Sequence, residues 1–120
     1  YHIFYVVDFY SQKPNNVFHL HPPVLSISCY IAKNNSGTVF FTFTINGTFT
    51  VSSHGSAFCT KASYTYSIKD SAWEFKSATA ERSANKAIGD AKFIRKALLV
   101  VVSTIEPHVV LTCDNNGNFS

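Results

Sequence analysis

The amino-acid sequence predicts a mainly β domain with one helix. The expected α+β architecture is an antiparallel β-sandwich or barrel, with the helix over about residues 79–98, ahead of the last two strands. Three observations carry this. The run TVFFTFTINGTFTVSS (38–53) alternates apolar residues with threonines around Asn46-Gly47, the pair best suited to a type I′ hairpin turn. Short apolar runs recur along the chain between Pro, Asn and Gly clusters, as strands between turns do. Alanines recur at steps of three and four over 79–98, which is helical spacing. With 120 residues the chain forms a single domain, long enough for one core and too short for two.

The elements follow in order. IFYVVDF (3–9) reads as a first strand and YSQKPNN (10–16) as a turn-rich exit. Pro22-Pro23 interrupts pairing before VLSISCYIA (24–32), whose odd-numbered set, Leu25, Ile27, Cys29 and Ile31, is the more apolar and is taken as the core face. KNNSG (33–37) turns into the threonine-rich hairpin, where Val39, Phe41, Phe43, Ile45, Phe49 and Val51 share an apolar face. A loop at His54-Gly55-Ser56 precedes two short strands, 64–68 and 72–76, joined by Lys69-Asp70-Ser71; Trp73 and Phe75 anchor the second. Ala80, Ala84, Ala87, Ala91, Ile94 and Leu98 then form the helical stripe, with Glu81 in its first turn, where the helix dipole favours an acid. Gly89 costs such a helix about 1 kcal/mol relative to alanine. Residues 98–104 and, past Pro107, 109–112 read as the last strands, before a polar tail.

Composition narrows the function classes. Apolar residues make up 46% and charged residues 14%, the reverse of a disordered or coiled-coil chain. A formal charge of +3 lacks the dense basic stripe of nucleic-acid binders. The apolar run Ala97 to Val102 is far too short for a membrane span. Asn34, Asn46 and Asn118 each begin an N-x-S/T sequon, and the chain lacks Met and opens inside an apolar run, as a secreted glycoprotein without its signal peptide would. Cys29, Cys59 and Cys113 are odd in number. Outside the cell they imply one disulfide with a third thiol free or intermolecular, Cys29 with Cys59 being the preferred pair. In a reduced protein they are three buried small apolar side chains.

Catalytic chemistry finds no constellation. His19-x-His21 is half a metal site without a third ligand at a recognisable spacing. His2, His54 or His108 could meet Cys59 or Cys113 as a nucleophile pair only through a fold that exposes the thiol. Asp8 interrupts the first strand, at its edge or paired with Lys13. The seven acids are scattered, and there is no glycine-rich phosphate loop. The sequence therefore predicts neither enzyme, metal site nor cofactor.

The opening YHIFYVVDFYSQKPNNVF, with Asp8-Phe9-Tyr10 and then Lys13-Pro14, resembles the amino-terminal strand of the Alternaria major-allergen family of secreted fungal proteins. IAKNNSGTVFFTF is similar to that family's second and third strands, with Gly37-Thr38 at the turn. Phe58-Cys59 with SYTYSIKDSAWEF, and LVVVSTIEPHVVLTCDNNGN with Cys113, resemble its later cysteine-bearing segments. Phe43 stands where the family would place the partner of Cys59, and nothing follows Cys113 to pair with it. The resemblance implies a β-barrel or sandwich secreted by a fungus. It implies a non-enzymatic allergen, effector or elicitor that meets plant defence proteins, forms homodimers and has been linked to small phenolic ligands.

Within that expectation the most distinctive surface is the basic face of the predicted helix, carrying Arg82, Lys86 and Lys96. Such a face would contact a host protein, and its cations would tune association rate and salt dependence. The alternative is a lipocalin-like barrel around a small apolar ligand, which the strand count and aromatic richness permit. The Gly-x-Trp near the first strand is missing, because Trp73 lies mid-chain.

Overall fold

The computed structural model describes the backbone of residues 3–12 together with residues 23–51 and 55–120. Eight strands run in chain order: β1 Ile3–Gln12, β2 Val24–Asn34, β3 Val39–Val51, β4 Ala57–Ile68, β5 Trp73–Ser83, β6 Lys86–Ala97, β7 Val100–Ile105 and β8 His108–Thr112. The first four form an antiparallel meander in the order β1-β2-β3-β4; the others form a second sheet in which β5 takes one edge of β6 and β7 and β8 share the other. The sheets pack as a sandwich. No helix occurs among the described residues, so the expected helix at 79–98 is overturned.

The helical spacing was produced by two strands. Ala80 belongs to β5, Ala84 is a turn residue with φ of 51°, and Ala87 and Ala91 belong to β6. What the alanines serve is the close approach of the sheets. Ala78 pairs with Ala91 and Ala80 with Gly89, so small residues from β5 and β6 line one inner face. Alanine's helix propensity is a weak preference that such packing overrides.

The Asn46-Gly47 hairpin is corrected as well. β3 runs unbroken through both residues, pairing Asn46 with Ile27 and Ser63, and Gly47 with Ser26 and Ala62. Gly47 is there for space. A Cβ on it would lie 2.6 Å from the Phe49 ring and 3.0 Å from Ala87 Cβ across the interface. The predicted apolar face of β3 does form the core. Phe41, Phe43, Ile45 and Phe49 are buried, while Thr42, Thr44, Thr48 and Thr50 are half-buried on the opposite face.

The chosen face of β2 is reversed. Val24, Ser26, Ser28, Tyr30 and Ala32 turn inward and Leu25, Ile27, Cys29 and Ile31 outward. Register explains it: Ala32 pairs with Phe41, Tyr30 with Phe43, Ser28 with Ile45 and Val24 with Phe49, so β2 follows the larger apolar face of β3. Ser26 and Ser28 are buried in consequence.

Aromatic rings fill the interior. Phe93 of β6 stacks on Phe41 of β3 at 3.9 Å between centroids, and Phe43, Tyr66 and Phe75 meet Phe93 edge-on. Trp73 is buried against Phe40 and Phe41, and Phe75 is partly buried beneath Tyr66, as expected of the two anchors. The Cα framework is only 16 Å through its thinnest axis. Sheets spaced about 10 Å apart share a single layer of interlocked side chains, and here that layer is aromatic.

Candidate functional site

The β6–β7 hairpin projects from one end of the sandwich. Lys96 N–H donates to Ala72 O, the last bond holding β6 to the β5 side. Ala97 then pairs with Val100 across a two-residue turn, Leu98-Leu99. Both leucines have positive φ, 52° and 72°, the paired left-handed geometry that Asn-Gly fits and bulky side chains resist. They are 96% and 93% exposed, and Val100, Val101 and Val102 continue the apolar surface at 61%, 49% and 51%. Five adjacent aliphatic residues therefore lie in solvent on a protruding turn and an edge strand. A contiguous exposed apolar patch of this kind marks an interaction site.

The surroundings are cationic. Lys76, Lys92 and Lys96 line an open groove on the outer face of the second sheet, floored by Ile94 and bounded by Leu99 and Val101. A bulge at Phe75/Ser77 and another at Arg95/Lys96 break the alternation of β5 and β6 here. Glu74 pairs with two of them: its Oε2 lies 3.3 Å from Lys76 Nζ and 3.9 Å from Lys96 Nζ, and Glu106 and Asp90 line the adjoining groove with Lys92. With both partners about half-exposed, these ion pairs are weak and leave the lysines able to exchange partners.

Of the expected basic trio, only Lys96 belongs to this site. Lys86 begins β6, ten residues away, roughly 33 Å along an extended strand. Arg82 lies with it beside the Ala84-Asn85 turn. The helix that would have brought the three onto one face does not form.

No family model, curated protein or solved structure matches this chain. The family resemblance rests on its sequence segments alone, of which 1–2 and 13–18 fall outside the described residues, as do His2, His19, His21 and His54.

Cys29, Cys59 and Cys113 form no disulfide with one another. Cys29 pairs in register with Thr44 on the outer face of the first sheet, and Thr44 Oγ1 donates to its Sγ at 3.4 Å. Cys59 is buried on the inner face, opposite Phe49. The preferred Cys29–Cys59 disulfide is thereby overturned. The two lie on opposite faces with β3 between them, about 10 Å across strands and about 16 Å along them, beyond the roughly 7 Å Cα separation a disulfide spans. Burial pushes the Cys59 thiol up, against the opposing pull of the Lys61 and Thr48 backbone and of Arg82. Cys113 is buried near the same turn as Cys59: Cys59 N–H donates to Ala84 O, and Cys113 N–H to Asn85 O.

The sequon asparagines occupy three settings. Asn34 Oδ1 accepts from the Ser36 and Thr38 amides and organises the β2–β3 turn. Asn46 is half-buried in mid-strand, and exposed Asn118 lies in the carboxy-terminal turn, its N–H bonded to Asp114 Oδ1. Asp90 and His108 form an exposed cross-strand pair at 2.5 Å. No cluster of three His, Cys, Asp or Glu side chains that could hold a metal ion occurs among the described residues. They contain no helix long and apolar enough to cross a membrane.

The sequence places Leu98 at the end of a helical stripe and at the start of a strand over 98–104, and reads Ala97–Val102 as a run too short to span a bilayer. The missed signal was five aliphatic residues placed where a tight turn was needed, with neither Asn nor Gly among them.

Proposed function

We propose that this chain is a secreted, non-enzymatic β-sandwich that acts as an effector or elicitor through a surface contact, and that the working surface is the β6–β7 hairpin with its lysine-lined groove. The observation that carries the reading is the pair Leu98 and Leu99, almost wholly exposed at positive φ, with Leu99 bounding the groove that Lys92 and Lys96 line. A turn chosen for stability alone would place Asn-Gly here. Large apolar side chains held in an unfavourable conformation in water favour a role in contact. The resemblance to secreted fungal allergens supports the same reading, since those proteins work by being bound. The ring stack of Phe41, Phe93, Phe43 and Phe75 favours it over the lipocalin-like alternative, because those side chains occupy the space an apolar ligand would need.

The test is binding of fluorescently labelled protein to plant protoplasts, with the defence response read in parallel. The Leu98→Asn/Leu99→Gly variant is expected to lose both, while Arg82→Glu/Lys86→Glu behaves as wild type. Wild-type binding and response from the leucine variant would overturn the reading.

A further inference from the structure

The hairpin divides into an apolar tip and a cationic collar. Leu98 and Leu99 stand at the extremity, and Val100–Val102 carry the apolar surface back along the β7 edge. From the turn at Leu99 back to Val102 the chain covers about 10 Å, comparable with the 5–10 Å to which apolar faces enter the headgroup and acyl boundary of a bilayer. Set back from the tip, Lys92 and Lys96 of β6 and Lys76 of β5 lie on the face that Leu99 and Val101 also line. Lys96 pairs with Val101, about 7 Å behind the tip and level with lipid phosphates when the tip is immersed, whereas Lys92, four residues further along β6, and Lys76 beside it stand about 13 Å higher. Glu74 bridges Lys76 and Lys96, leaving a positive excess in this groove, while Glu106 and Asp90 line the adjoining groove that shares Lys92.

A second copy of the chain fits less well. Among the described residues nothing pairs with the outer edge of β7, and two β7 strands could pair antiparallel. That arrangement would bring the Lys92–Lys96 segments of both copies towards each other, and it would leave Leu98 and Leu99 beyond the paired strands in water. A bilayer covers the leucines and neutralises the lysines together. Resting on the proposal that the hairpin is the working surface, we propose that its occupant is an anionic lipid bilayer, which Leu98 and Leu99 enter while Lys96 binds lipid phosphates and Lys76 and Lys92 attract the anionic surface from further back.

Co-sedimentation with vesicles of phosphatidylcholine alone, and of phosphatidylcholine with phosphatidylserine, tests this. The wild-type protein should sediment with the anionic vesicles and be released by salt. A lysine at an anionic surface contributes about 1 kcal/mol, so Lys96→Gln should weaken binding about fivefold and Lys92→Gln, set further back, by less. Leu98→Asn/Leu99→Gly should weaken it tenfold or more. That variant suits the turn better than the natural residues do, so misfolding would not account for the loss, and a melting temperature no lower than wild type checks the point. Leu99→Trp should gain blue-shifted emission on adding anionic vesicles. Failure of the wild type to sediment, or sedimentation of the leucine variant at the wild-type level, overturns the lipid proposal. Should vesicles fail while the leucine variant still loses protoplast binding, and protease treatment of the protoplasts abolishes wild-type binding, the occupant is a protein and the working surface stands. If vesicles fail and the leucine variant binds protoplasts as wild type does, both readings fall. A concentration-dependent dimer abolished by the leucine variant would overturn the lipid occupant in favour of a second copy.

Discussion

Gly89 of β6 lies directly beneath Ile45 of β3. A Cβ at Gly89 would stand 2.0 Å from Ile45 Cδ1, 2.2 Å from its Cγ1 and 3.2 Å from the Phe43 ring. The isoleucine fills the hollow left by the missing side chain, one sheet over the other. Gly47 and Ala87 repeat the device further along, with Phe49 folded over Gly47. Two glycines that read in the sequence as a helix defect and a hairpin turn thus set the distance between the sheets.

Gly89→Ala should accordingly destabilise the fold by about 1–3 kcal/mol, the usual cost of overpacking. Ile45→Ala opens a cavity at a cost of about 2–5 kcal/mol. In the double variant the new methyl enters the space vacated by the isoleucine, so its loss should be clearly smaller than the sum of the two. Urea midpoints of the four proteins form the cycle; strict additivity would show that the two residues do not meet.

Leu98→Asn/Leu99→Gly should stabilise the chain. A left-handed conformation costs an ordinary residue roughly 1–2 kcal/mol, and Asn-Gly largely avoids that cost in a type I′ turn. Thermal unfolding should shift upward by several degrees for a domain of this size. A lower melting temperature would mean that the leucines support the fold.

Separation of the expected basic trio gives a third outcome. Lys96→Glu should impair docking by the hairpin and make the residual binding less sensitive to salt. Arg82→Glu and Lys86→Glu, at the other end of β6, should leave docking at the wild-type level. Equal loss from all three would return the contact to a broad basic surface.

Thiol reactivity should follow the faces of the first sheet. In native protein a disulfide reagent should label half-buried Cys29 first, with Cys59 and Cys113 reacting only on unfolding. Burial raises the Cys59 thiol from its ordinary value of 9.0, so the fold favours its neutral form. The associated stability is present below that value and is lost as pH rises through the higher folded one. Above pH 9 the urea midpoint of wild type should therefore fall more steeply than that of Cys59→Ser. Parallel curves would show that the Cys59 thiol titrates alike in the folded and unfolded chain.

The sequence by itself determined that strands dominate, that the Phe41/Phe43/Ile45/Phe49 face is the core, that Trp73 is an anchor, and that Pro107 separates the last two strands. Those are local facts. Period-two alternation and a proline's missing N–H act through neighbouring residues and are read without knowing what lies across the core. Tertiary structure decided the rest. The inward face of β2 depends on which side of β3 is the more apolar. Strand or helix at 79–98 depends on a second sheet that accepts only Ala and Gly opposite Ile45 and Phe49. Asn46-Gly47 lies in a strand because contacts across the sandwich outweigh a turn preference worth little by itself. The hairpin surface was hidden for the same reason. Leu98–Val102 has the composition of a core strand, and only its position past the last bond to Ala72, where no facing sheet remains, leaves it in solvent.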